Sequence, residues 1–301
     1  MSIEKDIKGH AIKIGMDLCG IAPVSRFEGA PKGTHPTDYL PGCKSVVSIG
    51  VRLVEGAVQT IMRNYEDGNR MAQGVYGTHG YTMTPNFHLL FAVYDIAQYI
   101  ERKTGFAAMP TQTGPMQAGM SMSQRHAAVA AGLGEFGWMS LVLTPKFGPR
   151  NRFGCILTTA ELKPDPMYTG ERLCDPTKCK ICTTVCPTGA LSKYGEKEAR
   201  RVIYKDKDGD KTYDYCHVNM TKCRIGAHGL MKKTGGREDL VTSLEATPQE
   251  VEEATRKTMP EGLQQSPTWK CGKCLAYCPA GNWKAKYKDT GFSSKLPILE
   301  W

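Results

Sequence analysis

The sequence has no apolar run long enough to span a bilayer. Its first residues, Met1 to Asp6, form neither a charged-then-apolar leader nor a twin-arginine signal. Export and a membrane span are therefore not expected, and a cytoplasmic, reducing, anaerobic setting is. It also lacks an arginine-rich block and any nucleic-acid-binding module, so nucleic acid is not expected among its partners. No internal repeat is found beyond two cysteine runs. What is present is a chain of 301 residues with 41% hydrophobic content, which suits one large or two moderate domains. Lys and Arg outnumber Asp and Glu, for a formal charge of +9.

Cysteine is abundant, at 12 residues, and without an export signal this points away from disulfides. Cys179, Cys182 and Cys186 precede Pro187, and Cys271, Cys274 and Cys278 precede Pro279. Each set is a C-x2-C-x3-C-P run, and the first has an extra cysteine, Cys174, upstream. Such runs wrap [4Fe–4S] clusters, and the cysteine before proline ligates the other cluster of the pair. Zinc ribbons also use CxxC pairs, but two runs that both end in Cys-Pro fit clusters better. Two cubanes need about eight thiolates. The runs supply Cys174, Cys179, Cys182, Cys186, Cys271, Cys274 and Cys278. The eighth comes from Cys216 or Cys223, of which Cys223 is favoured. One cluster then takes Cys174, Cys179, Cys182 and Cys278; the other takes Cys186, Cys223, Cys271 and Cys274. The positive charge offsets these anionic clusters in part and suits an acidic, low-potential electron donor such as ferredoxin or flavodoxin.

Along the chain, apolar spacing predicts a helix over 3–17 and a short strand over 18–22. Residues 26–43 read as a loop and 44–53 as a β-branched strand. Residues 64–86, with Tyr65, Tyr76, His79, Tyr81 and Asn86, read as a long polar and aromatic loop. Such loops are often functional. A helix follows over 86–103, closed by Gly105, then a strand over 106–110 and a helix over 123–133. Gly132, Gly134 and Gly137 match G-x-G-x-x-G, but they close a helix instead of following a strand. That context excludes the dinucleotide fingerprint, and small residues here permit close approach to another element or to a cofactor. Residues 140–144 and 153–159 read as paired strands. The loop between them holds Arg150 and Arg152, which suit a carboxylate or phosphate. Beyond Pro187, a helix is expected from Glu196, a hairpin turn at Asp208 and Gly209, and a helical surface insert over 236–265. The pair Thr247 and Glu250 forms a capping box for that insert. Aromatic residues of the tail, Trp283, Tyr287, Phe292 and Trp301, are expected to pack over the core.

Residues 125–166, RHAAVAAGLGEFGWMSLVLTPKFGPRNRFGCILTTAELKPDP, lead straight into the first cysteine run. This stretch resembles the superfamily of corrinoid-dependent reductive dehalogenases and epoxyqueuosine reductases. The AGLGE helix end and the TPKFGPR loop resemble the dehalogenase branch most. The resemblance implies an α+β architecture. A nitroreductase-like α/β corrinoid-binding domain (1–161) would precede a ferredoxin-like domain with two [4Fe–4S] clusters (162–301, with an insert over 188–270). It implies a base-off corrinoid reduced through the clusters, and a small, anionic substrate. It supports Cys223 as the eighth ligand. Gly132, Gly134, Trp138, Ser140, Gly148 and Arg150 are the expected cofactor-contacting positions. Tyr81, His88, His126, Arg150 and Arg152 are the candidate catalytic residues.

The sequence also departs from the family. The acidic proton donor of epoxyqueuosine reductases falls at Ala118, the asparagine of dehalogenases near Gly119, and the family tyrosine near Phe87. These departures keep open an alternative, an electron-transfer protein that reduces a corrinoid held by another protein and turns over no small molecule itself. Either form is compatible with a homodimer.

Overall fold

The computed structural model describes residues 2–67, 74–111, 122–234, 239–258 and 271–281. Helix α1 (Ile3–Lys13) leads into β1 (Leu18–Pro23), and β2 (Ser45–Arg52) follows. Next come α2 (Glu55–Asp67), a π-helical turn (Tyr76–Tyr81), α3 (Met83–Thr104) and β3 (Ala108–Pro110). Then α4 (Gln124–Ala130) precedes β4 (Glu135–Phe136), β5 (Val142–Leu143) and β6 (Asn151–Thr158). Strands β1, β2, β6 and β3 form one antiparallel sheet in that order.

Both faces of this sheet are covered, which makes the architecture mixed α/β. Val47, Ile49, Val51 and Ile156 face α1 and α3, packing with Ile7, Leu89, Val93, Ile96 and Ile100. Their neighbours Val46, Cys155 and Leu157 face the other way, onto Ala127, Ala128 and Val129 near α4. Two covered faces explain why β2 reads as an unbroken β-branched run and not as an alternating one. On α3, the spacing Leu89, Val93, Ile96, Ala97 and Ile100 puts one apolar stripe on the sheet. The helix stops at Gly105, at φ 73°, a left-handed cap that favours glycine.

Beyond β6, the hairpin β7 (Arg200–Tyr204) and β8 (Lys211–Tyr215) precedes α5 (Met220–His228) and α6 (Pro248–Lys257). The capping box of Thr247 and Glu250 is present. The hairpin is pinned to the body by a buried ion pair. Arg26 reaches both carboxylate oxygens of Asp206 at 3.2 Å, and it also donates to the carbonyls of Ala130 at 2.7 Å and Asp165 at 2.8 Å.

Three expectations are corrected. Most of the supposed loop over 64–86 is helical. Its π-helical turn is rich in Gly, Thr and His, which hides it, and Gly80 is needed there because a side chain would strike the Ala57 carbonyl of α2. The strand over 142–143 pairs with 135–136 and not with 153–159. A tight turn folds it back: Gly137 N donates to Leu141 O at 2.8 Å and Ser140 N to Gly137 O at 2.9 Å. No helix starts at Glu196, whose carboxylate instead accepts from Lys193 N at 2.8 Å and closes a turn before β7. The tail aromatics, Ala118 and Gly119 lie outside the described residues.

Replacing Asp206 with alanine would strand the Arg26 charge in a site where its side chain is 2% exposed. A loss of about 3–5 kcal/mol is expected, read from urea unfolding.

Candidate iron–sulfur and substrate site

The first cysteine run is shaped by its own side chains. Asp175 accepts from Thr177 N at 3.0 Å, and its carbonyl accepts from Cys179 N at 2.8 Å. Cys182 sits on a one-turn helix, Ile181–Thr184. The Glu135 carboxylate receives Leu173 N at 2.6 Å and Cys174 N at 3.2 Å, fixing the start of the run. The second run carries Cys274 on a similar turn, Lys273–Ala276.

The cysteines fall into two groups by the repulsion their thiolates would exert on one another. Cys182 feels Cys174 and Cys278 first, then Cys216 and Cys179, and Cys278 feels Cys174 and Cys179. Cys274 feels Cys271, Cys223 and Cys186 ahead of Cys182, and Cys223 feels Cys271 and Cys186. The structure thus brings Cys278 to the first run and Cys186 to the second. Cys223, on α5, stands with Cys186, Cys271 and Cys274. Cys216 is fully buried near Cys186 and Cys182. Among the described residues, no group of three or more His, Cys, Asp or Glu converges closely enough to hold a single metal ion. A cubane spreads its four thiolates over four irons, so its ligands stand wider apart than those of one ion.

Burial pushes the thiols of Cys216 and Cys223 up to about 12 and that of Cys278 up to about 11. It raises those of Cys182 and Cys274 as well. Metal coordination deprotonates such thiols outright. Backbone donors already point at sulfur: Trp138 N lies 3.3 Å from Cys174 Sγ, Ala190 N lies 3.2 Å from Cys186 Sγ, and the Ala280 backbone bonds Cys278. Hydrogen bonds of this kind tune cluster potentials. The donor set therefore fits two clusters.

The expected catalytic residues do not converge. Tyr81 and Arg152 do meet, with the Arg152 guanidinium 4.5 Å over the Tyr81 ring and its Nε 2.9 Å from Asn86 Oδ1. Behind Tyr81, the ring of Tyr76 stacks in parallel at 6.1 Å. Tyr76 is fully buried, and burial holds its phenol well above the ordinary range, so it stays protonated. His88 lies elsewhere, exposed on α3 with Nε2 3.4 Å from the Ile14 carbonyl. His126 sits among Phe136, Tyr204 and Tyr215. Burial, helped by Arg125, pulls it down to about 4, so it is neutral near pH 7 and makes a poor proton donor.

Arg150 is fully engaged. Its Nε pairs with Glu55 at 2.8 Å, NH1 donates to Cys278 O at 3.0 Å, and NH2 donates to Ala276 O at 2.8 Å. It clamps the second cysteine run onto α2. The glycines expected at a corrinoid serve backbone packing. A Cβ at Gly132 would strike the Pro166 carbonyl, at Gly134 that of Leu143, and at Gly148 that of Ala280. Trp138 is buried and donates Nε1 to Ser192 O at 2.9 Å. Ser140, at φ 66°, holds Arg125 through its hydroxyl at 2.8 Å. The sequence shows Tyr76 and Asn86 only as members of a polar loop and gives no sign of Glu55. Tyr76 and Tyr81 stand five residues apart, one π turn, a spacing outside the 3.6-residue pattern.

No family model matches the chain. Epoxyqueuosine reductase of Bacillus cereus is 24% identical over 256 residues, covering 73% of this chain and 64% of that protein. Tetrachloroethene reductive dehalogenase of Dehalobacter restrictus is 42% identical over 134 residues, covering 43% of this chain and 22% of that protein. The chain is thus homologous to both branches of the superfamily its motifs resemble, while spanning less than two thirds of either relative. A solved epoxyqueuosine reductase with an epoxyqueuosine-modified tRNA stem loop overlaps 62% of this chain and 52% of that one, at 16% identity and a TM-score of 0.45. That overlap is too loose to support a fold argument. The exclusion of nucleic acid expected from composition finds no support in these relatives.

Replacing Arg150 with methionine would leave Glu55 buried at 4% exposure without its partner. A loss of about 3–5 kcal/mol in urea unfolding is expected. His126 takes up a proton near 6.5 when unfolded and near 4 when folded. Stability is therefore lost as pH falls from 6.5 towards 4, and no further below that. Unfolding midpoints at pH 7 and pH 4.5 should differ less in a His126→Phe variant than in the parent chain.

Proposed function

We propose that this chain is an iron–sulfur oxidoreductase that passes electrons through two [4Fe–4S] clusters to a substrate beside Tyr81 and Arg152. The observation that supports this reading is the approach of Cys278 to Cys174 and Cys179, and of Cys186 to Cys223 and Cys274. Cys174, Cys179, Cys182 and Cys278 would hold one cluster; Cys186, Cys223, Cys271 and Cys274 would hold the other. The cysteine-rich part (162–301) is ferredoxin-like, with its insert over 188–270. The preceding part (1–161) is nitroreductase-like and carries the substrate side. An acidic ferredoxin or flavodoxin is the expected donor, drawn by the basic surface.

The residues supply binding and proton control. Arg152, held by Asn86, offers a fixed positive charge to an anionic substrate group. Tyr81 presents a phenol next to that charge and is the proton-donor candidate on this side. His88 and His126 are not given that role.

Corrinoid is kept as an expected second cofactor on the strength of the likeness to reductive dehalogenases and epoxyqueuosine reductases. Bound, it would supply low-potential cobalt chemistry. The departures at Ala118, Gly119 and Phe87 support a second reading, an electron-transfer protein that reduces a corrinoid held by a partner. Small-molecule and nucleic-acid substrates both belong in the screen.

Anaerobic purification from cobalamin-fed cells, with iron and cobalt analysis and EPR, tests the reading. About eight iron per chain is expected. About one cobalt would support the enzyme, and none after reconstitution with corrinoid would favour the electron carrier. Cys223→Ser should perturb one cluster signal and lower the iron content, whereas Cys216→Ser should keep both signals.

A further inference from the structure

Tyr76 is 0% exposed, and its hydroxyl oxygen has no hydrogen-bond partner among the described protein groups. A buried, unpaired hydroxyl is unfavourable, and phenylalanine would fill the same space without that penalty. The hydroxyl therefore calls for an acceptor that the described protein groups do not provide. Its position says which. It lies directly over Gly272, between Cys271 and Cys274, where any Cβ on Gly272 would collide with it. The ionisable groups acting on it are Tyr81, Cys271, Cys274 and Arg152.

We propose that the Tyr76 hydroxyl donates a hydrogen bond to a sulfur of the cluster held by Cys186, Cys223, Cys271 and Cys274, and so raises that cluster's reduction potential. The inference rests on the two-cluster reading above. A hydrogen bond to sulfur stabilises the reduced, more negative cluster over the oxidised one, which raises the potential. The stack of Tyr76 on Tyr81, with Arg152 above, also makes this the cluster nearest the proposed substrate corner. Tyr76 is thus a tuning residue and touches no substrate.

An EPR-monitored redox titration of the full chain, purified anaerobically, tests it. In Tyr76→Phe, with iron content unchanged, the cluster perturbed by Cys223→Ser should titrate at a more negative potential, and the other cluster should not move. Should Tyr76→Phe fail to take up iron, 3-fluorotyrosine placed at position 76 decides. A fluorinated phenol is the stronger donor, so the same cluster should shift to a more positive potential. Unchanged potentials, or equal shifts of both clusters, would overturn the proposal while leaving the two-cluster reading in place. A parent chain without iron after reconstitution would overturn both, and iron content alone separates that result from the others.

Discussion

The arrangement depends on how the loop over 145–150 grips the second cysteine run. Arg150 ties the carbonyls of Ala276 and Cys278 to Glu55. Gly148, at φ 57°, and Gly281, at φ 88°, let the two backbones touch where a side chain on either would collide. This contact sets Cys278 against the first run, far from it in sequence. The ion pair is nearly dry, with both side chains under 5% exposed. Such pairs are strongly destabilising to break even where forming them adds little. That makes the contact a device for position more than for stability.

The same clamp links the sheet to the cysteines. Arg150 immediately precedes β6, a central strand of the antiparallel sheet, and Glu55 opens α2 just after β2, the neighbouring strand. Two adjacent strands thus present both halves of the grip, and α2 carries Val58 and Ile61 into a cluster with Tyr76, Leu275 and Tyr277. On the other side of the cysteines, Trp138 and Leu143 pack with Cys182 and Cys216. Tyr76 and Tyr81 face the Cys271–Cys274 side, and the cluster around Trp138 packs against cysteines of both runs.

The sequence made some of this legible and concealed the rest. The cysteine runs were readable because ligand spacing is a local code, and Cys223 was separable from Cys216 only as a preference. Helices α1, α3 and α4 and strands β1 and β2 were readable from apolar period and β-branching. What failed was long-range or unusual. Arg150 looked like a loop arginine waiting for an anion, because no local pattern shows that Glu55 and two carbonyls will surround it. The glycines of the AGLGE and TPKFGPR stretches looked like cofactor contacts, but the approach they permit is to Leu143, Pro166 and Ala280. Tyr76 was hidden by a π turn and by glycines needed for packing. His126 was expected as a catalytic candidate, and no local pattern shows that Phe136, Tyr204 and Tyr215 will surround it.

The crossing of the ligands is the central claim, and Mössbauer and EPR spectra of three single-cysteine variants test it most directly. The account predicts that Cys278→Ser and Cys179→Ser perturb the same [4Fe–4S] signal and that Cys271→Ser perturbs the other. If Cys278→Ser instead perturbed the Cys271 signal and left that of Cys179 intact, each run would hold its own cluster, and the crossed arrangement would be wrong.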